Sequence, residues 1–231
     1  MIKIQIEKAG YNSNETIIKN IQFEIPKGEI VGLIGSNGAG KSTTIQSIMG
    51  TIPFLDGKME VPAYGYVPER PILYEYFTLW EHIDFLISTI DQDKDQLKMR
   101  AKELCHAFRM QHKLYEYPVN FSKGMQQKVM LILALTPAHD FYILDEPFMG
   151  LDPQAIRKLI EFINEYKSQG AAILISTHAL DTAEKICNDF VLLHNGSILK
   201  QGTLEDLQEG SQASLLELFD TLIEGIENES N

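Results

Sequence analysis

A glycine-rich segment early in the chain has the residue types and spacing of a phosphate-binding loop. It reads GSNGAGKST over residues 35–43, after the apolar run EIVGLIG and before a predicted helix at 41–49 that Gly50 closes. The backbone amides of such a loop face phosphate oxygens at a helix N-terminus. We expect Lys41 to reach the β- and γ-phosphates and the Ser42 hydroxyl to ligate Mg²⁺; a flexible glycine turn is the weaker alternative. The residues predicted to bind nucleotide are Gly35, Ser36, Asn37, Gly38, Ala39, Gly40, Lys41, Ser42 and Thr43.

Two carboxylates follow an apolar segment later in the chain. FYILDEP, residues 141–147, predicts a buried strand that delivers Asp145 to the sheet edge where the glycine-rich loop also lies. Asp145 is expected to hold Mg²⁺ through water, and Glu146 to orient and deprotonate an attacking water. The alternative is that these carboxylates are merely solvated at a strand end. It is the weaker explanation because a phosphate-binding loop is predicted earlier in the chain.

A histidine ends the next predicted strand. The segment ISTH, 175–178, places His178 near the carboxylates, because neighbouring parallel strands end at one edge of the sheet. We predict that His178 contacts the γ-phosphate and senses its presence. A lone histidine is more often structural or merely exposed, so this prediction depends on the other motifs.

A second polar helix start lies far along the chain from the loop. In NFSKGMQQK, 120–128, Ser122 is a suitable N-cap for a helix that continues into VMLILAL. Gly124 costs about 1 kcal/mol inside a helix relative to alanine, so an ordinary capped helix does not explain it. The positive end of the helix, the Ser122 hydroxyl and the Gly124 amide form a predicted anion site with no local ligand.

Together these motifs resemble the nucleotide-binding subunit of ATP-binding-cassette (ABC) transporters over essentially the whole chain. In that family a motif, usually Leu-Ser-Gly-Gly-Gln, starts a helix whose amides bind the γ-phosphate held by the opposite subunit. Here the motif reads FSKGM: Ser122 and Gly124 match, whereas Lys123 and Met125 depart from the commonest form. The resemblance implies that two subunits sandwich two ATP molecules and hydrolyse them with Mg²⁺.

Three further positions follow from the resemblance. Tyr11 matches an aromatic residue that stacks on adenine, although a strand-end tyrosine is an equal alternative. Asp152 in GLDP matches a residue that communicates between the two sites, but as an N-cap before Pro153 it also begins a helix by itself. Glu69 in YVPERP stands where the family usually has glutamine, beside Mg²⁺ and the membrane subunit. We expect Glu69 to ligate Mg²⁺, keep the coupling role and raise the Mg²⁺ requirement, with Arg70 as the alternative contact to the partner.

The elements that must position these residues alternate between strands and helices. The pattern and the resemblance predict an α/β fold: a P-loop NTPase (RecA-like) core with a mixed sheet, an N-terminal antiparallel β subdomain and an inserted α-helical subdomain. We expect a single ABC ATPase domain over residues 1–231. Its predicted parts are a catalytic core with the β subdomain at about 1–75 and 136–208, a helical subdomain at about 76–135 and a C-terminal helical tail at 209–231.

Local signals mark several of these elements. Thr78 and Glu81 make a capping box at the start of the helical insert, and a second helix is predicted around 95–108. Further helices are predicted from Pro153 to about Ser168 and near 179–187. FVLLHNGSILKQ predicts a hairpin with an Asn-Gly turn.

The C-terminal segment predicts one more amphipathic helix. Ser214 and Glu217 form a capping box, and six apolar residues share one face of the helix. These are Leu215, Leu218, Phe219, Leu222, Ile223 and Ile226. We expect this stripe to dock on its own domain; docking on a partner subunit is the minority alternative.

Composition limits the compartment and the partners. The formal net charge of −12 opposes nucleic acid binding, and two cysteines, Cys105 and Cys187, indicate a reducing compartment without a disulfide framework. The N-terminus lacks a signal-peptide pattern, and VMLILAL is far shorter than the ~20 residues that span a bilayer. We therefore expect a cytoplasmic chain that is peripheral on the inner face of the cell membrane through an integral-membrane partner.

These observations predict an ATP hydrolase, the ATP-binding subunit of a transporter. We expect it to work as a homodimer with separate transmembrane subunits. The segments around YVPERP and FSKGM look most like bacterial exporter-type cassettes, including Ecs-type systems. Two alternatives stay open: a soluble non-transport ABC ATPase and an inactive regulatory ATP-binding module. A signalling GTPase is disfavoured because no Asn-Lys-x-Asp motif is present.

Overall fold

An antiparallel sheet forms the N-terminal part of the computed structural model, which describes residues 1–12 and 15–229, with side chains described as far as Gly225 in the last helix. Three strands in the order β2-β1-β4 make up this sheet: β1 (Ile2–Gly10), β2 (Ile18–Ile25) and β4 (Phe54–Met59). The alternating isoleucines of β1 are buried on one face, and Ile4 pairs with Phe23 of β2. The predicted antiparallel β subdomain is confirmed.

The central sheet has six strands: β3 (Ile30–Gly35), β5 (Tyr64–Val67), β6 (Phe141–Asp145), β7 (Ala172–Thr177), β8 (Asp189–His194) and β9 (Ser197–Thr203). They lie in the order β5-β6-β7-β3-β8-β9, the first five parallel and β9 antiparallel to β8. Asn195 and Gly196 join β8 to β9 with φ angles of 46° and 74°, as a two-residue type I′ hairpin turn requires. The antiparallel edge strand makes the sheet mixed, as predicted.

The ends of three neighbouring parallel strands determine where the chemistry lies. Strands β3, β6 and β7 are buried along their whole length. Asp145, the last residue of β6, pairs with Ser176 of β7, and Thr177 pairs with Ile34 of β3. The glycine-rich loop after β3 and the carboxylates after β6 therefore meet at one edge of the sheet.

Helices cover the central sheet: α1 (Lys41–Ile48), α5 (Pro153–Ser168), α6 (Leu180–Ile186) and α7 (Leu204–Gln208). Helix α5 buries Leu159, Phe162 and Ile163 on one face, so its apolar stripe fits a helix packed on a sheet. Its bounds match the prediction from Pro153 to Ser168.

A helical insert separates β5 from β6. It comprises α2 (Leu79–Thr89), α3 (Lys94–Ala107) and α4 (Lys123–Leu135), with 3₁₀ turns at Gln111–Lys113 and Pro118–Asn120. The predicted capping box is present, because the Thr78 amide donates to Glu81 Oε2 at 2.7 Å. Helix α3 begins and ends one residue earlier than the predicted 95–108, because Asp93 caps it by accepting from the Asp95 amide at 2.9 Å.

The insert packs directly on the central sheet's helix α5. The Arg100 guanidinium of α3 donates to Glu165 at 2.9 Å and to the Tyr166 hydroxyl at 3.0 Å. The ring of Phe108, at the end of α3, lies 5.8 Å from that of Phe162. The insert and the core thus share one hydrophobic cluster.

The tail helix α8 (Leu215–Glu229) docks on its own chain. Its predicted capping box is present, and Leu215 and Phe219 are buried beside Leu180 and Phe190. The Leu215 amide also donates to Glu184 Oε2 of α6 at 2.7 Å. The prediction that this helix docks on its own domain is confirmed for the described side chains. Ile226, the last residue of the predicted apolar face, lies outside them.

Across residues 1–12 and 15–229, we found no helix that has both the length and the apolar character needed to cross a membrane. The seven-residue run VMLILAL lies instead in α4, where Val129, Leu131 and Ile132 are buried in the core. The longest apolar run of the sequence is therefore used for internal packing.

Candidate functional site

The glycine-rich loop joins β3 to α1 and leaves the start of that helix free of local partners. Gly40 has a φ of 108°, and a Cβ there would lie 2.6 Å from Ile18 Cγ2, so glycine is required. Helix α1 has neither a side-chain N-cap nor an acidic residue in its first turn. Its first amides are consequently available to an anion.

The Lys41 side chain is buried and held by the loop itself. Its ammonium donates to the carbonyl oxygens of Gly35 at 2.7 Å and Ser36 at 3.2 Å, and it is 8% exposed. Among the described side chains, no carboxylate forms an ion pair with it. Its charge attracts the nearby Asp145 carboxylate without a direct ion pair, so the ammonium can still take an anionic ligand.

A cavity of about 450 Å³ brings most of the predicted site residues together. It is lined by Ile17, Ser36, Asn37, Gly38, Gly40, Lys41, Ser42, Thr43, Glu69, Asp145, Glu146, Met149 and His178. Of the predicted loop residues, Gly35 and Ala39 do not line it; both are buried, where they support the loop.

Asp145 reaches the cavity from the end of β6 as a buried carboxylate. The Ser176 hydroxyl of β7 donates a short hydrogen bond to Asp145 Oδ1. Burial raises the pKa of Asp145 above its ordinary value, the hydrogen bond from Ser176 opposes that effect, and the neighbouring carboxylates of Glu69 and Glu146 add to it. A bound cation at this carboxylate would relieve the cost of burying its charge.

Glu146 occupies a strained backbone position next to Asp145. Its φ is 48°, a left-handed conformation that costs a non-glycine residue about 1–2 kcal/mol. Its amide donates to the Ser176 carbonyl at 3.0 Å, and its carboxylate is bonded to His178 Nδ1 at 2.8 Å. This geometry turns the side chain into the cavity and pairs the predicted base with the predicted phosphate sensor.

The oxygen ligands at the cavity fit a magnesium ion that is completed by substrate. The Ser42 hydroxyl and the carboxylates of Asp145 and Glu69 line the same space, and oxygen is the donor that Mg²⁺ prefers. Within the described part of the chain, no three His, Cys, Asp or Glu side chains form a ready-made metal cage. Mg²⁺ generally binds through one or two carboxylates, water and substrate phosphates, so this donor set suits it.

The start of α4 lies outside this cavity. Ser122 caps the helix by accepting from the Met125 amide at 3.4 Å, which is a long hydrogen bond. A Cβ on Gly124 would lie 2.3 Å from the Gly150 carbonyl oxygen, so only glycine permits this approach of two backbones. Neither Ser122 nor Gly124 is among the described residues that line the cavity.

Asp152 is the N-cap of α5, which is one of the two interpretations that the sequence offered for this residue. Its Oδ1 accepts from the amides of Gln154 at 3.1 Å and Ala155 at 3.0 Å, and its Oδ2 accepts from Lys128 Nζ at 2.6 Å. The hydrogen bond from Lys128 is the main reason that the pKa of Asp152 is lowered to about 2. The role in communication between two sites stays a prediction.

Tyr11 is not brought to the cavity. It is 51% exposed and lies next to the short bridge between Asn12 and Glu15, whereas Ile17 lines the cavity. The adenine-stacking role of Tyr11 therefore stays a prediction without a contact to support it.

Three residues at or beside the cavity were not singled out from the sequence. The Ser176 hydroxyl donates to the Asp145 carboxylate and accepts from the Glu146 amide, and Ile17 and Met149 line the cavity. Ser176 carries a usable signal, since a polar residue near the end of an apolar strand lies opposite Asp145 in the register. Ile17 and Met149 carry none, because an apolar residue in a loop has no distinguishing pattern.

Comparisons with known proteins identify the family. The model of the family described as ABC transporter matches residues 18–149. The chain is similar to the uncharacterized ABC transporter ATP-binding protein YthP of Bacillus subtilis strain 168, with 42% identity over 97% of this chain and 98% of that protein. It is also similar to the ABC-type transporter ATP-binding protein EcsA of the same strain, with 41% identity over 90% of each.

A solved structure supports the same assignment. The ATP-binding subunit of an ABC transporter superposes with a TM-score of 0.91 and 38% identity, over 96% of this chain and 99% of that one. The agreement extends over the antiparallel sheet, the mixed sheet and the helical insert. The chain therefore belongs to the ABC transporter family, in which it is an ATP-binding subunit and an ATP hydrolase.

Proposed function

We propose that two copies of the chain close around two ATP molecules, and that Mg²⁺-dependent hydrolysis drives transport by separate transmembrane subunits. The observation that carries this proposal is the start of α4, whose first turn has no acidic residue and whose Ser122 and Gly124 are not among the described residues that line the nucleotide cavity. An ATP molecule held by a second copy is the ligand that completes it.

The start of α4 differs from an ordinary capped helix start in its charge. Its first turn contains no acidic residue, Lys123 adds a positive charge, and Ser122, Lys123 and Gly124 have no contact with any other described carboxylate. A helix N-terminus carries about half a positive charge, which an approaching γ-phosphate would neutralise. The Cβ position of Gly124 is taken by the Gly150 carbonyl oxygen, so glycine is needed there for the packing of α4 against the loop at Gly150.

The residues of the nucleotide cavity divide the reaction among them. Lys41 is released from the Gly35 and Ser36 carbonyls to the phosphates, while Glu146 orients a water molecule and accepts its proton. His178 fixes the Glu146 carboxylate through Nδ1 and contacts the γ-phosphate with its exposed side. When bound through Ser42, Asp145 and Glu69, Mg²⁺ would supply charge neutralisation at the phosphates.

An exposed aromatic surface on the insert is the proposed contact to the membrane subunit. It consists of five exposed aromatic residues and one isoleucine, with exposures from 44% to 80%: Ile72, Tyr74, Tyr76, Phe85, Tyr115 and Tyr117. The segments that carry it are tied together, since the Leu79 amide donates to the Glu116 carbonyl and the Trp80 amide to the Leu114 carbonyl. Large exposed aromatic side chains are typical of protein interfaces.

This surface adjoins the nucleotide cavity through the segment after β5. Glu69 lines the cavity, and Ile72 of the exposed surface follows it by three residues. A movement of Glu69 on nucleotide binding would therefore displace Ile72 as well. We propose the division predicted from the sequence, with the helical subdomain at about 76–135 as the part that moves on the core, and Glu69 as the coupling residue. The proposed site in the cell is the inner face of the membrane.

Export is the proposed direction of transport. It is supported by the resemblance of the segments around Glu69 and Ser122 to exporter-type cassettes. Reconstitution of the chain with its membrane partner in inside-out vesicles tests it: ATP-driven accumulation inside the vesicles indicates export, and ATP-driven loss from preloaded vesicles contradicts it.

A mixing experiment tests the shared site. Glu146→Gln removes the base from both sites of a dimer, and Ser122→Arg blocks the start of α4 in both copies, so each variant alone is expected to be inactive. In a mixed dimer, one site combines Glu146 of one copy with Ser122 of the other and is intact. Random pairing of an equal mixture therefore restores about one quarter of the wild-type sites. No recovery of phosphate release, with mixed dimers verified by two affinity tags, would contradict the proposal.

Co-purification tests the partner. We expect Tyr76→Ala together with Tyr115→Ala to reduce capture of an integral-membrane protein from detergent-solubilised membranes, while ATP hydrolysis by the isolated chain is retained. The matched control is Tyr11→Ala, an exposed tyrosine outside the surface. Capture of soluble complexes alone would favour a non-transport ATPase, and tight ATP binding without turnover would favour a regulatory module.

A further inference from the structure

A second cavity, distinct from the nucleotide cavity, has four basic side chains among its ten lining residues. It has a volume of about 290 Å³ and lies where the end of α3, the helix α4 and the start of α5 meet. Its charged lining residues are Arg109, Lys128, Arg157, Lys158, Asp152 and Glu161. Four cations at one place are notable in a chain with a formal net charge of −12.

Pairing inside this cavity leaves two guanidinium groups free. Lys128 is paired with Asp152 at 2.6 Å, and Lys158 is paired with Glu161 at 2.6 Å. Within the described part of the chain, the side chains of Arg109 and Arg157 have no hydrogen bond or ion pair. The cavity thus carries two positive charges that the protein itself does not balance.

Arg109 is held at a backbone position where glycine is usual. It follows Phe108, the C-cap of α3, in a Schellman motif, in which the Arg109 amide donates to the His106 carbonyl and the Met110 amide to the Cys105 carbonyl. Its φ is 59°, a left-handed conformation that disfavours arginine. A strained residue at a helix end is a reason to look for a role of its side chain.

The chemistry of the cavity indicates its ligand. Guanidinium groups bind phosphate through paired hydrogen bonds, and Gln154 and Ala155 in the first turn of α5 form part of the wall, where Asp152 already accepts from both of their amides. We propose that this cavity binds a phosphate-bearing small anion held by Arg109 and Arg157. The proposal goes beyond the hydrolysis site, and it is independent of dimer formation.

A phosphate bound in the cavity would affect α4, the helix that begins after Ser122. Lys128 belongs to α4 and lines the cavity, and its present partner Asp152 caps α5. A bound phosphate would compete with Asp152 for the Lys128 ammonium. The ligand therefore acts on the contact between the two helices.

A binding experiment on the full chain tests the proposal. The Lys41→Ala protein, which weakens phosphate binding at the glycine-rich loop, is titrated with inorganic pyrophosphate in chloride buffer and followed by backbone amide NMR. We expect shifts at Arg109, Gln154 and Ala155. Adding Arg109→Gln and Arg157→Gln should weaken that binding about tenfold. Shifts confined to residues 35–43 would overturn the proposal.

Matched variants separate a site from general electrostatics and from loss of fold. Lys94→Gln with Lys98→Gln removes two charges from the exposed face of α3 and should leave the affinity unchanged. If the two lysine substitutions weaken pyrophosphate binding as much as Arg109→Gln with Arg157→Gln, the proposal is overturned. Arg109→Gly suits the left-handed backbone, so it should retain the fold and still bind pyrophosphate more weakly. Wild-type affinity in that variant would also overturn it.

A second ligand distinguishes the source of the phosphate. Titration with ADP is compared with titration with pyrophosphate in the same Lys41→Ala background. Equal affinities at the second cavity assign a free oligophosphate, and tighter ADP binding there assigns a nucleotide. Both results support a phosphate site, whereas binding of neither overturns it.

Discussion

The starts of helices α1 and α4 share a property that separates them from the other α-helices of the chain. Both lack a carboxylate at the N-cap and in the first turn. In contrast, an acidic side chain accompanies each of the other six described helix starts. Those residues are Glu81, Asp93, Asp152, Asp181, Asp206 and Glu217. An acidic residue normally stabilises a helix start, so its omission at two helices leaves both starts free for a ligand's charge.

The two helix starts differ in what surrounds them. The start of α1 is buried and opens into a cavity with Lys41 and the carboxylates Asp145 and Glu146, so it holds a complete set of reacting groups. The start of α4 is exposed and adjoins no such set. The first is thus suited to act on a ligand within its own chain, and the second to act on a ligand brought by another molecule.

Replacing Glu146, the proposed base in the cavity at the start of α1, should reduce ATP hydrolysis more than any other change. We expect Glu146→Gln to reduce phosphate release about 10³-fold, because a positioned general base contributes about 10²–10⁴. ATP binding is retained, and a dimer accumulates on size-exclusion chromatography with light scattering. Glu7→Gln, an exposed change on β1, is the control. Normal hydrolysis by Glu146→Gln would show that another group is the base.

Removing the cation of the loop should be nearly as severe. Lys41→Ala takes away a buried ammonium that the transition state uses, so we expect a loss of about 10²–10³ in turnover together with weaker ATP binding. Lys41 bonds only to its own loop, so thermal unfolding should change little. Turnover within twofold of wild type would contradict the proposed division of roles between α1 and α4.

The hydroxyl at the start of α4 should matter for activity more than for stability. Ser122→Ala loses a long cap hydrogen bond, so its stability cost lies at the low end of the usual range of about 0.5–2 kcal/mol. We expect about a tenfold loss of hydrolysis, the size of one lost hydrogen bond to a charged group. Ser214→Ala, at the cap of α8, is the matched control, because it should cost stability but no activity. Equal activities would remove the distinction between the two helix starts.

The unusual carboxylate in the cavity should change the response to magnesium. Glu69 adds a negative charge beside Asp145, so hydrolysis should fall steeply as Mg²⁺ is withdrawn. Because Glu69 is also a proposed Mg²⁺ ligand, Glu69→Gln is expected to raise the half-saturating Mg²⁺ concentration about fivefold, equivalent to about 1 kcal/mol for the loss of one charge close to the cation. The same Mg²⁺ dependence in variant and wild type would show that this charge is not sensed.

The ion pair between α4 and α5 should give the smallest effect. The pKa of Asp152 is about 2 in the folded chain and 3.8 ordinarily, so its contribution to stability is present above pH 4 and is lost between about pH 4 and 2. Because the side chain is half-exposed, we expect Asp152→Asn to cost only about 0.5 kcal/mol at pH 7. Urea unfolding at pH 7 and pH 3 measures whether the difference shrinks on acidification. A difference that grows at low pH would contradict this assignment.

Structural features that are set by residues close together in the sequence were predictable. The loop from Gly35 to Thr43, the cap at Ser122 and the hairpin at Asn195 depend on local geometry, which short patterns carry. The strand that delivers Asp145 was predictable for the same reason, because a short apolar run that ends in acids is a local pattern. The family resemblance then supplied the order in which these parts assemble.

Contacts that depend on the register of distant segments were not predictable. The hydrogen bond from Ser176 to Asp145 requires that β6 and β7 be neighbours in a particular register. The pair of Lys128 with Asp152, and the exposed position of Tyr11, likewise depend on packing between segments far apart in the chain. Such contacts follow from the tertiary fold, which a single sequence pattern does not encode.

The close approach of Gly124 to Gly150 ties together two things that each copy must do. Gly150 follows Glu146 by only four residues, on the loop that carries the base, whereas Gly124 belongs to the helix start offered to a neighbouring copy. With no side chain between the two backbones, a displacement of one segment pushes on the other. In the proposed dimer, contact of the α4 start with the neighbour's nucleotide would therefore shift the loop that carries Glu146, which would link hydrolysis at the two sites.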